Sequence, residues 1–205
     1  MADFFIKIKD LIKTKTVWIL ALAIAIYIVG ISILLLKKYN GFGYNFFDLS
    51  IFNQVFFNTL HGRWFDLSIN LNNYLADHFS PVIILFLPIY AIYAQPQTLL
   101  IIQTVFIGLS AWPLYLIAKA VIRDRAMSLF VACWWLMSPF VHNANFFEFH
   151  FLSIAVFFVF WTFYFYYKNN FKLFVLFTIL SLFCREDIAL ILLGFFALSL
   201  LPFLL

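Results

Sequence analysis

The stretch Pro81-Val82-Ile83-Ile84-Leu85-Phe86-Leu87-Pro88-Ile89-Tyr90-Ala91-Ile92-Tyr93-Ala94 decides the fold. An apolar helix needs about 20 residues to cross a bilayer. This run is shorter, and Pro88 interrupts it. Read as a re-entrant or surface-lying helix, it leaves everything from Gly41 to Ser80 on the same side as the segment that follows. Read as a span, it inverts every later loop.

The basic residues choose between the two. The N-terminal Lys7, Lys9, Lys13 and Lys15 precede a long apolar run, Val17–Leu36. If Pro81–Ala94 does not cross, then Lys119, Arg123, Arg125, Lys168 and Lys172 fall on the N-terminal side. Nine of the thirteen basic residues are then cytoplasmic, as the positive-inside rule requires. If the run crosses, the five later residues move outside and the rule fails. The sequence therefore predicts an all-α polytopic transmembrane helix bundle in the plasma membrane, with a cytoplasmic N-terminus. It has about six spans, near residues 17–36, 98–118, 126–141, 151–167, 171–184 and 188–205. The outer loop, 37–97, carries in-plane helices at 49–60 and 81–94.

Composition supports the membrane assignment. The chain is 66% hydrophobic and 11% charged, with 30 Phe among 205 residues and a mean hydropathy of +1.02. Soluble domains are about half apolar and a quarter charged. The first apolar run is too long for a signal peptide and ends in Leu-Lys-Lys without a small-residue cleavage site, so it is expected to be retained. The two cysteines make no disulfide framework or metal knuckle. A net charge of +4, carried by loops, argues topology and no nucleic-acid partner. The chain stops at Leu205 inside an apolar run, as expected either of an N-terminal portion of a longer protein or of a protein that ends at the membrane boundary.

In this topology six of the nine acids and all four histidines lie in outer gaps. Asp48 opens an amphipathic stretch in which Ile51, Phe52, Val55, Phe56 and Leu60 recur at helical spacing. It is expected to cap that helix, and His61-Gly62 to end it. A carboxylate there also suits a catalytic base or a cation ligand. In Asp77-His78-Phe79-Ser80-Pro81, Ser80 and Pro81 read as a helix start. Asp77 and His78 remain, a pair able to hold a divalent cation or a phosphate. Glu148 and His150 sit among phenylalanines at membrane depth, where ionisable groups are costly. Arg185-Glu186-Asp187 precedes the last run. Its acids suit a helix dipole or a metal, and Arg185 suits an oxyanion. His61, Asp66 and His142 read as ordinary surface residues. Phosphate-binding glycine loops, HExxH zinc motifs and nucleophile elbows are absent from the sequence.

Taken in order, Asp48-Leu49-Ser50-Ile51-Phe52-Asn53-Gln54, His61-Gly62-Arg63, Asp77-His78-Phe79-Ser80-Pro81, Phe147-Glu148-Phe149-His150 and Arg185-Glu186-Asp187 resemble a family of predicted bacterial and archaeal membrane proteins, domain-of-unknown-function family 2079. The resemblance covers roughly residues 45–205. That family is similar to the glycosyltransferase C superfamily, which includes protein mannosyltransferases and the aminoarabinose transferases of lipid A. The resemblance implies transfer of a sugar from a polyprenyl-phosphate donor to an acceptor at the outer face. Asp48 matches the catalytic acid of the first outer loop, and Asp77 is the candidate for the second acid that relatives carry there. His78, His150 and Arg185 would bind the carrier phosphate. Asp77, Glu148, Glu186 and Asp187 would hold a divalent cation (Mg, Mn or Ca). The other expected contact is the lipid bilayer. The reading from another class is a non-catalytic carrier-binding or transporter component.

Overall fold

A computed structural model describes residues 2–45, 47–69 and 73–204, and for 2–14 and 198–204 the backbone alone. The described residues form ten α-helices and one 3-10 turn, Tyr74–Ala76, without a β-strand. In chain order the helices are α1 (Ala2–Asn40), α2 (Phe47–Leu60), α3 (Ile83–Ile92), α4 (Pro96–Leu109), α5 (Ala111–Ile122), α6 (Arg125–Met137), α7 (Pro139–Phe146), α8 (Phe151–Tyr167), α9 (Phe171–Leu182) and α10 (Ile188–Leu204).

From Val17 to Leu36, apolar side chains surround α1 on every face. Leu20, Ile24, Tyr27, Ile31 and Leu35 point inward, while Trp18, Leu22, Ile26, Val29 and Ile33 are exposed. A helix that is apolar all round and half exposed belongs in lipid. Two helical runs are long and apolar enough to cross a bilayer, Lys15–Asn40 and the 27-residue run Pro96–Ile122 that joins α4 to α5. Four others, Ile83–Ile92, Phe151–Tyr167, Phe171–Leu182 and Ile188–Ala197, are apolar but shorter. The expected span at 126–141 is divided. α6 ends at Met137, Ser138 is extended, and Pro139 starts the separate helix α7. The break follows from proline, which removes a donor and biases the residue before it to extended backbone. Leu205, the end of the last expected span, lies outside the described residues.

Three inter-helix turns are written locally. Gly62, at φ +82°, stops α2 as expected, a conformation glycine adopts without penalty. Asp124 caps α6 by accepting from the Met127 N–H at 2.8 Å. Asn170 caps α9 by accepting from Leu173 N–H at 3.2 Å. The α5–α6 and α8–α9 turns meet where the Tyr167 hydroxyl donates to the Ala120 carbonyl at 3.2 Å. Lys119, Arg123, Arg125, Lys168 and Lys172 lie at or beside these turns. The acidic and histidine motifs lie in other loops, joined to one another.

α1 packs on α4 and α6, α4 and α5 pack on α8, and α8 packs on α9. Gly108 permits the α1–α4 approach. A Cβ there would stand 2.7 Å from Ile28 Cγ1. α3, ten residues long, reaches only about 15 Å, half of a bilayer core.

Candidate functional site

Two joins bring the motifs together. The first links α2 to the segment between α7 and α8. Leu49 N–H donates to Glu148 Oε2 at 2.7 Å in a buried contact, and His150 Nε2 lies 3.5 Å from Asp48 Oδ2. Expectation and structure differ at this helix start. α2 begins at Phe47, so Asp48 lies inside the first turn rather than capping it. The first-turn N–H of Leu49 is met by Glu148, ninety-nine residues away. An ionised acceptor at a helix N-terminus is favoured by both the hydrogen bond and the dipole.

The second join links the segment before α3 to the α9–α10 turn. His78 Nδ1 is 2.9 Å from Glu186 Oε1, and Phe79 N–H donates to Glu186 Oε2 at 2.9 Å. Ser80 Oγ donates to the Cys184 carbonyl at 2.7 Å, and Val82 N–H to the Phe183 carbonyl at 3.2 Å. The expected helix start is also displaced here. α3 begins at Ile83, two residues beyond Pro81, with no side-chain cap. Ser80 is buried, and its hydroxyl is spent on Cys184.

Both joins face one cavity of about 160 Å³, lined by Asp48, Asp77, His78, His150 and Arg185 together with Phe47, Ile51, Phe52, Leu67, Ile69, Tyr74, Ser80 and Phe151. Five of the eight predicted site residues therefore share a single chamber. The other three stand behind it as supports. Glu148 holds α2, Glu186 holds the 78–79 segment, and Asp187 Oδ2 pairs with Arg185 Nε at 2.8 Å. Glu148 and Glu186 are thus already matched by N–H donors, and Asp187 is ion-paired with Arg185. Among the described residues no three His, Cys, Asp or Glu side chains form a group able to hold a metal ion. The structure does not gather Asp77, Glu148, Glu186 and Asp187 into one ligand set.

The electrostatics follow the burial. Desolvation lowers the His150 pKa below the ordinary imidazole value of 6.5, although the Asp48 carboxylate opposes it. His150 therefore favours its neutral form more than a free imidazole does. Glu186 meets some desolvation, which hydrogen bonds from His78 and the Phe79 and Glu186 backbone outweigh, so its pKa is lowered. Burial and then the Glu148 charge push the Tyr44 hydroxyl up to about 12, so it stays protonated.

His142 departs from its expected place at the surface. It is half-buried, its ring 5.7 Å from that of Tyr27 and its Nε2 2.6 Å from the Leu136 carbonyl. It lines an apolar groove between α1 and α6. Asp66 is half-buried too, facing Arg63 at 3.5 Å, while His61 is exposed as expected.

Sequence reasoning missed the residues beneath the chamber. Gln103 and Asn145 are fully buried. Gln103 Nε2 donates to the Glu148 carbonyl at 3.0 Å, and its Oε1 accepts from His150 N–H at 2.7 Å. Thr104 Oγ1 donates to Asn145 Oδ1 at 3.1 Å, and Asn145 Nδ2 donates to the Tyr27 hydroxyl at 3.1 Å. A signal was present, since Gln103-Thr104 interrupts the apolar run Leu99–Leu109. A polar side chain in such a run is costly unless it is paired.

Fold and site together define an all-helical membrane protein with a small polar chamber at the junction of its loops. A family profile described as predicted membrane protein, domain of unknown function 2079, matches residues 38–201, and the chain belongs to that family. No curated protein and no solved structure matches it.

Proposed function

We propose that the chain is a multi-pass plasma-membrane glycosyltransferase, transferring a sugar from a polyprenyl-phosphate donor to an acceptor hydroxyl at the extracytoplasmic face. One observation carries this reading. Asp48, Asp77, His78, His150 and Arg185, drawn from four separate segments, line one chamber. The distribution of basic residues supports about six spans with the N-terminus inside, and α3 fits a short helix that does not cross.

In this mechanism Asp48 is the general base. Its carboxylate takes the acceptor's hydroxyl proton as the acceptor oxygen forms a bond to the anomeric carbon, and the bond from that carbon to the phosphate oxygen breaks. Attack opposite the leaving group inverts the configuration. Neutral His150, 3.5 Å from Asp48, orients the carboxylate without neutralising it. Arg185 and His78 meet the charge that builds on the departing phosphate. The ion pair to Asp187 engages Arg185 Nε, and the guanidinium's remaining donors lie on its terminal nitrogens. Arg185 supplies positive charge to this step, and the His78 ring faces the same chamber.

The test uses the full chain in membranes with a labelled polyprenyl-phosphate sugar. Asp48→Asn is expected to reduce transfer by about 10²–10⁴-fold, the usual worth of a positioned base. Transfer at the wild-type rate would retire the assignment. The second reading, a non-catalytic carrier-binding or transporter component, draws on the chamber's size, which is below the roughly 300–1,000 Å³ of ordinary ligand sites. It predicts that labelled carrier binds the wild-type chain and is recovered with its sugar intact.

A further inference from the structure

Between Phe147 and His150 the chain has no helix of its own to hold it, yet it presents two side chains to the first turn of α2. Its support comes from below. Gln103, on α4, is fully buried and turns its amide edge-on to this segment. One end donates to the Glu148 carbonyl at 3.0 Å, and the other accepts from the His150 N–H at 2.7 Å. The amide thus does for an isolated stretch of chain what a neighbouring strand does in a sheet, satisfying a donor and an acceptor on one edge. His150 is extended (φ −146°, ψ 135°), as such pairing requires.

The consequence is geometric. With the backbone fixed at both residues, the Glu148 carboxylate is delivered to Leu49 N–H and the imidazole of His150 to Asp48. Asn145, held by Thr104 and Tyr27, fixes the α7 end of the same segment. We propose that Gln103 is a positioning residue, holding the His150 imidazole against Asp48 by clamping the backbone on either side of Phe149. Gln103 does not line the chamber, so it acts through His150. Its bearing on catalysis rests on the transfer reading, whereas its structural action on His150 does not.

The test follows His150 directly. The purified full chain is treated with diethylpyrocarbonate at pH 8, where imidazoles are neutral, and acylation of His150 is measured by mass spectrometry relative to exposed His61. Amide exchange at Leu49 is followed in parallel. Gln103→Met keeps the volume and removes both of these hydrogen bonds together with the longer 3.4 Å contacts from Nε2 to Asn145. It is expected to raise His150 acylation roughly ten-fold, the population change that loss of a buried hydrogen bond produces, and to speed Leu49 exchange. Gln103→Glu is the rescue. A carboxyl this deeply buried stays protonated, so its O–H donates to the Glu148 carbonyl and its C=O accepts from His150 N–H. Its acylation and exchange are expected to match wild type. Wild-type acylation in Gln103→Met overturns the proposal. If that variant fails to fold, Gln103→Glu decides the matter, and a freed His150 there, with His61 unchanged, overturns it. If the acylation pattern is as expected and no transfer is found, the transfer reading fails and the positioning role stands.

Discussion

Glu148 is 3% exposed, and its carboxylate holds the Leu49 N–H of α2. Removing one partner of a buried pair leaves the other to bear its desolvation. Glu148→Ala should therefore destabilise the protein by about 1–3 kcal/mol, read by denaturant unfolding in detergent micelles. Glu148→Gln, which keeps an acceptor oxygen, should cost less. Equal stability of Glu148→Ala and wild type would remove Glu148 from the structural account. The titrating pairs give a second expectation. His150 has a folded pKa below 6.5, so between those two values the unfolded chain binds the extra proton. Its contribution is present above about 6.5 and is lost as pH falls through the folded value. Glu186, whose folded pKa is also lowered, contributes above its ordinary 4.5 and is lost below it. Stability should accordingly fall on acidification in two stages, the upper one absent in His150→Gln. A rise in stability between pH 6.5 and 5.5 would contradict the sign.

At the scale of elements, α1 and α4 approach closely at Gly108. The 2.7 Å separation from Ile28 Cγ1 is shorter than carbon atoms tolerate, so Gly108→Ala should cost about 1–3 kcal/mol. Ile28 presses on this one position, so Gly108→Ala with Ile28→Ala should cost less than the sum of the single changes. Strict additivity in the double-mutant cycle would show that the two side chains do not meet. Helix ends reveal what the sequence could tell. The stop at Gly62 is short-range and was announced by residue type; the caps from Asp124 and Asn170 are equally local but were not read from the sequence. The starts of α2 and α3 were misread because their partners come from far along the chain. Asp48 and Ser80 have the composition of caps. Glu148 accepts from the first-turn Leu49 N–H of α2, and Ser80 is drawn off to Cys184. No local pattern records such a contact. Gln103 was equally hidden, because its partners are backbone groups forty-five and forty-seven residues away.

For the whole molecule, the motif order carried more than any single motif did. Asp48, Asp77-His78, Glu148–His150 and Arg185–Asp187 are spread over 140 positions (187 − 48 + 1), and in the proposed topology they share one side only if α3 does not cross. Lysines and arginines spoke for that choice in the sequence. In the structure they lie by the turns at Arg123–Asp124 and Lys168–Asn170, apart from the chamber. The membrane sidedness itself can be measured with single cysteines and an impermeant maleimide on intact cells. Asn73 and Asn143 are exposed beside the chamber's loops, and Lys168 is exposed at the opposite turn. Asn145 would be a poor choice, since it is fully buried and bonded to Tyr27. Cysteines at Asn73 and Asn143 should label from outside, and one at Lys168 only after the cells are opened. The background comes from the parent chain, where Cys184 is buried and Cys133 half-buried. If Lys168→Cys labels on intact cells while Asn73→Cys also does, then an even number of segments crosses between them, the basic turns face outward, and the proposed topology fails.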